Sequence, residues 1–139
     1  MEELTKRKLA ELDEMFEEYQ DVDRQLARRE FEIRYPWTPT DTNVGGGRSE
    51  MRTDAPDKTI EAIQTDARMI YLARLKEACA ATVECLTDDQ REVYETRYQS
   101  PVRVFWPDVP EILHKSRSGV YKVRYSILQH LAKNLGWLS

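Results

Sequence analysis

The sequence lacks long apolar runs. None of its 139 residues belongs to the roughly 18 to 20 consecutive apolar positions that a membrane span requires, and the opening MEELTKRKLAELDEMFEEY has no apolar signal-peptide core. A soluble cytoplasmic protein with no membrane partner is expected. There are only two cysteines. Cys79 and Cys85 are six apart in what reads as one helix, so they fall on different faces, too far apart for an easy disulfide, and reduced thiols are expected. The two histidines, His114 and His130, stand far apart with no cysteine or carboxylate cluster beside either, so neither a metal site nor a cofactor is expected. No nucleophile, base and orienting residue can be assembled, which points to binding and not to catalysis. Five glycines and six prolines are few for an all-β sandwich or for wholesale disorder, and 40% hydrophobic with 33% charged residues fits one modest helical core. The expected fold class is all-α.

The net charge of −4 excludes a protein that coats nucleic acid indiscriminately, yet the charge is unevenly distributed. Residues 1–86 carry 13 Lys and Arg against 19 Asp and Glu, whereas residues 87–139 carry 8 against 6. From His114 onward there are five basic residues, Lys115, Arg117, Lys122, Arg124 and Lys133, and no acidic one. An anion-binding surface belongs at that end.

Three segments follow from the pattern: 1–53, 54–86 and 87–139. Between Glu2 and about Ile33 there is no Gly or Pro, and Leu9, Leu12, Phe16, Tyr19, Leu26 and Ile33 follow a three-four spacing broken at Asp23 and Glu30. One long amphipathic helix is predicted, whose seam serves either a homodimeric coiled coil or packing within the chain. Tyr35-Pro-Trp-Thr-Pro and then Gly45-Gly46-Gly47-Arg48 cannot continue a helix and predict a linker. That glycine run lacks the Lys-Ser/Thr and the preceding strand of a phosphate-binding loop. Arg34, Arg48 and Arg52 are a weaker candidate for a separate contact with DNA or polymerase. Asp54-Ala-Pro-Asp57 predicts the start of a second long helix running to about Cys85, with Ile60, Ile63, Ala67, Ile70, Tyr71, Leu75, Ala78 and Val83 as its buried stripe.

Three shorter helices are predicted beyond it. Thr87 caps the first with Gln90 in capping-box position, Val93, Tyr94 and Tyr98 face inward, and Gln99-Ser100-Pro101 ends it. The second runs from about Pro107 to Leu113, with Pro110 an awkward residue near its start. Ser116 caps the third, whose inward positions are Val120, Val123, Ile127 and Leu131. At 100° per residue, Ser118, Lys122, Tyr125 and Gln129 project together on the far side, flanked by Arg117 and Tyr121. Two helices joined by a tight turn, the second presenting basic, hydroxyl and aromatic groups, suit a recognition helix in a DNA major groove. The candidate contacts are Lys115, Ser116, Arg117, Ser118, Tyr121, Lys122 and Tyr125.

The stretch Leu86-Thr-Asp-Asp-Gln-Arg91-Glu-Val93-Tyr-Glu-Thr-Arg97-Tyr98, with Val109-Pro-Glu-Ile-Leu-His-Lys-Ser116-Arg-Ser-Gly-Val120, resembles the helix-turn-helix of sigma-70 region 4 over about 45 residues. It departs at Pro110, where that module usually has alanine, and at His114, where its turn usually has glycine. Ile33-Arg-Tyr-Pro, Asn43-Val-Gly-Gly-Gly-Arg-Ser49, this module and the terminal Leu135-Gly-Trp137 are together similar to phage and prophage late-gene activators of the RinA/ArpU type. That resemblance implies a regulator that binds double-stranded promoter DNA in a bacterial host and activates late genes, with host RNA polymerase and a second copy of the chain as further partners. Two other readings remain: a DNA-packaging protein like a terminase small subunit, and a protein-only helical adaptor.

Overall fold

The computed structural model describes residues 3–36 and 56–138, and all regular structure among them is helical. The helices are α1 (Lys6–Tyr19), α2 (Val22–Arg34), α3 (Pro56–Thr65), α4 (Ala67–Glu84), α5 (Asp88–Tyr98), α6 (Val109–Leu113) and α7 (Arg117–Asn134), with a single 3₁₀ turn at Trp106–Asp108 before α6. The Gly45-Gly46-Gly47-Arg48 segment, Arg52 and the capping signal at Asp54 lie outside the described residues.

The chain divides into two compact units: Met1–Asp21 with Leu75–Ser139, and Val22–Arg74. This division cuts across the three sequence segments, because α1 belongs with the C-terminal helices. The single N-terminal helix expected from Glu2 to Ile33 is in fact two. α1 begins at Thr5, whose side chain accepts from Lys8 N–H at 3.2 Å, and it buries Leu12 and Phe16. It ends where the Gln20 and Asp21 N–H groups turn back to the Glu17 and Glu18 carbonyls at 3.3 and 3.0 Å, tightening the last turn. The Gln20 amide fixes this end by donating to the Phe16 carbonyl at 3.0 Å and to the Tyr94 hydroxyl at 2.8 Å.

The second long helix is likewise two, divided at Asp66. There the Asp66 carboxylate accepts from Met69 N–H at 2.9 Å, capping α4. Because α3 and α4 do not share one continuous stripe, the expected buried positions are corrected. Leu75 and Ala78 are buried, but Ile60, Ala67, Ile70 and Tyr71 are exposed and Ile63 and Val83 are half-buried. The buried stripe of α4 instead runs through Leu72, Leu75, Cys79 and Thr82, and continues to Leu86 beyond the helix, at alternating spacings of three and four.

In the Val22–Arg74 unit, Arg29 grips Asp66 bidentately, Nε to Oδ2 at 3.0 Å and Nη2 to Oδ1 at 2.6 Å, joining α2 to the start of α4. The Arg29 hydrogen bonds, and then the Met69 N–H, hold the Asp66 carboxyl at about 2. The other unit is built on an aromatic cluster. Phe16 of α1 meets Tyr94 edge-on at 5.3 Å and Tyr98 at 5.2 Å, and Tyr98 meets Trp106 edge-on at 6.0 Å. Val93, Val109, Val120, Ile127, Leu128 and Leu131 complete the core. Fully burying each such aliphatic side chain stabilises by about 1.5–3 kcal/mol before chain entropy is counted. Thr82, also fully buried, meets its polar needs by donating to the Ala78 carbonyl and accepting from Asn134 Nδ2, both at 2.8 Å.

Candidate nucleic-acid interface

The exposed basic surface at the start of α7 is assembled by three consecutive local devices. The first is the capping box of α5: Thr87 Oγ1 accepts from Gln90 N–H at 3.2 Å and the Gln90 side chain accepts from Thr87 N–H at 2.9 Å, as its sequence predicts. Gln90 also donates to Ser126 Oγ at 3.0 Å, tying the start of α5 to the middle of α7.

The second device is the end of α6. Pro110 sits in the first turn, where its missing N–H has no partner to lose, so it is accommodated without cost to the helix. At the other end His114 takes the left-handed conformation, φ 55° and ψ 44°. Lys115 N–H reaches back to the Pro110 carbonyl at 2.9 Å and His114 N–H to the Glu111 carbonyl at 3.3 Å. This is the Schellman pattern, which the chain repeats at the end of α7 with Gly136 at φ 83°, Trp137 N–H to the Ala132 carbonyl at 2.9 Å and Gly136 N–H to Lys133 at 3.1 Å. The turn is therefore tight although it carries histidine where glycine is usual.

The third device is Ser116, whose hydroxyl accepts from Gly119 N–H at 3.1 Å and starts α7 two residues after the turn. The candidate contact residues then separate into groups. Ser116, Arg117, Ser118 and Lys122 are exposed. Lys115 is turned toward α5, 3.0 Å from Glu92 and 3.8 Å from Asp89, and the hydrogen bond to Glu92 raises its pKa. Tyr121 is half-buried between two guanidinium groups, Arg117 at 4.9 Å and Arg124 at 5.8 Å from its ring centre. Arg124 also lies 5.3 Å from the Trp106 ring, so a ladder of alternating cation and ring leads from the aromatic core out to Arg117. Tyr125 is half-buried and its hydroxyl accepts from Leu4 N–H at 3.2 Å, which places it against the segment that leads into α1. Val120, Ile127 and Leu131 are buried as expected, while Val123 is half-buried.

Sequence reasoning missed what supports this surface from beneath. Arg97 of α5, with a side chain only 6% exposed, donates through Nη2 to Asp13 Oδ2 at 3.0 Å and Glu17 Oε2 at 2.8 Å. Asp13 Oδ1 also accepts from the Trp106 indole N–H at 2.9 Å and from the Tyr98 hydroxyl in a short hydrogen bond. Burial lowers the Arg97 pKa, but its hydrogen bond to Glu17 and the charge of Asp13 outweigh that and raise it. Burial, and then the Asp13 charge, push the Tyr98 hydroxyl well above its usual range, so it remains a donor. These partners lie 80 or more residues apart, beyond the reach of local periodicity. The clamp holds Trp106, whose ring in turn carries the Arg124 guanidinium of α7 at 5.3 Å.

Among the described residues no group of three or more His, Cys, Asp or Glu could hold a metal ion, and no helix is long and apolar enough to cross a membrane. No solved structure matches the chain. The chain is similar to the transcriptional activator rinA of Staphylococcus phage phi11, with 24% identity over 119 residues, 86% of this chain and 84% of that protein. This agrees with the resemblance to activators of that type drawn from its sequence blocks. A family model matches residues 8–133, from the first turns of α1 nearly to the end of α7, and the chain belongs to that family, described as a protein of unknown function (DUF722).

Proposed function

We propose that this chain is a sequence-specific, double-stranded DNA-binding transcription regulator that reads its site with the first turns of α7. In this reading α6, the turn and α7 form a sigma-70 region 4-like helix-turn-helix. The observation that carries it is the placing of Arg117, Ser118 and Lys122, all exposed, on the helix that follows a tight turn, in a stretch without a single acidic residue. Arg117 reads a guanine edge, and Ser116, Ser118 and Lys122 hold phosphates. Lys115 and Tyr125, engaged with Glu92 and Leu4, border the contact and orient it. The similarity to a phage transcriptional activator supports activation of transcription as the biological output; phage or prophage late genes as the targets, with host RNA polymerase and a second copy of the chain as protein partners, complete the proposal. The work is binding and not catalysis.

The test is selection of duplexes from a randomised library with the full chain, followed by sequencing. One enriched motif is expected. A bound pool indistinguishable from the input contradicts the proposal.

A further inference from the structure

We infer that Lys6, Arg7 and Lys8, at the start of α1, form a second DNA-backbone contact that extends the footprint of α7; this rests on the reading of α7 as the DNA-contacting helix. The two elements are adjacent by direct contact, since Leu4 N–H donates to the hydroxyl of Tyr125 at 3.2 Å. That hydroxyl is the outer tip of a side chain on the polar stripe of α7. At 100° per residue, Ser118, Lys122 and Tyr125 fall within about 60° of one another, and Tyr125 is one turn, about 4.5 Å, along the axis from Lys122. The chain at Leu4 therefore lies on the side of α7 that carries the basic turn, and the three cations follow within four residues.

All three cations are exposed, whereas Leu4 is buried and anchors the segment. Glu2 and Glu3 precede them in the sequence and Glu11 lies 3.9 Å from Arg7 in an exposed pair that water screens, so the positive charge is local to the three consecutive residues and is balanced over residues 2–11 as a whole. The first turn of α1 has no acidic residue. Cations there oppose the helix dipole, so helix stability does not account for them. A negatively charged ligand does, and the one that the neighbouring stripe of α7 would hold is the phosphate backbone of a duplex. Lysine and arginine at such a place add affinity without sequence preference.

The test uses a duplex enriched from a randomised library by the unmutated chain, and the variant Lys6→Gln, Arg7→Gln, Lys8→Gln, which removes the three charges while keeping unbranched polar side chains of similar helix propensity. Anisotropy titrations across a salt series give the slope of log affinity against log salt. Each lost phosphate contact lowers the slope by about 0.9, so a fall of about one to three is expected, with the enriched sequence unchanged. Circular dichroism and the melting temperature establish that the variant folds. If its slope equals that of the parent while Arg117→Ala with Lys122→Ala still lowers affinity, the role of Lys6–Lys8 is overturned and the reading of α7 stands. If the parent enriches no duplex, both fail.

Discussion

Removing the Asp13 carboxylate should destabilise the unit that carries the basic turn more than any other single polar substitution in α1. In Asp13→Ala three donors lose a partner: Arg97 Nη2, the Trp106 indole N–H and the Tyr98 hydroxyl. Breaking a buried ion pair from one side costs about 3–5 kcal/mol, because the remaining charge is left uncompensated. Here Glu17 stays within 2.8 Å of Arg97 and offsets part of that loss, while each orphaned neutral donor costs about 1–3 kcal/mol unless water reaches it. These terms overlap, since water entering one gap serves the others, and a net loss of about 3 kcal/mol is expected. That is a large share of the roughly 5–15 kcal/mol that holds a domain folded. Asp13→Asn keeps one acceptor oxygen and should lose about half as much. Urea unfolding of both variants, followed by tryptophan fluorescence and far-ultraviolet circular dichroism, gives the values. A loss below about 1 kcal/mol for Asp13→Ala would refute the view that α1 is clamped to α5 and Trp106 through this carboxylate.

His114→Gly removes a left-handed strain of about 1–2 kcal/mol and adds about 0.5–1 kcal/mol of unfolded-chain entropy, so the variant should gain about 0.5–1 kcal/mol in the same assay; a loss contradicts the assigned turn. The Asp66 carboxyl, lowered from 3.8 to about 2, stays ionised in the folded chain below the pH at which the unfolded chain takes up the proton. Its contribution is complete above about pH 4 and fades as pH falls through 2, so Asp66→Asn should weaken the protein at pH 6 and make little difference at pH 2. A difference that does not change with pH sinks this account. Burial, and then the charge of Glu18, push the Cys79 thiol up to about 12, whereas Cys85 is exposed. Iodoacetamide at pH 8 should therefore label Cys85 and spare Cys79 in the folded chain, as read by peptide mass mapping.

The parts legible in the sequence are those fixed by neighbours in the chain. Thr87 with Gln90, Ser116 with Gly119, and the alternation that buries Val120, Ile127 and Leu131 are all local, and they set the ends and the phase of α5 and α7. Two helix breaks were not legible. Gln20 and Asp66 are compatible with a continuing helix, and it is Tyr94 and Arg29, 74 and 37 residues away, that hold them. The same distance hid the Asp13 clamp. A spacing rule sees two acids and an arginine on different helices as three surface charges. Tyr125 shows the converse: periodicity places it on the polar stripe, and only the packing of the N-terminal segment reveals that its hydroxyl is engaged.

The central claim, that the first turns of α7 contact DNA, is tested most directly by titrating an enriched duplex with Arg117→Ala, Lys122→Ala and, in parallel, with Arg28→Ala from the other unit. If Arg117 reads a base and Lys122 holds a phosphate as proposed, their joint loss weakens binding about 30-fold or more at unchanged melting temperature, whereas Arg28→Ala should change it less than about threefold. A folded double variant that binds as tightly as the parent would contradict the claim.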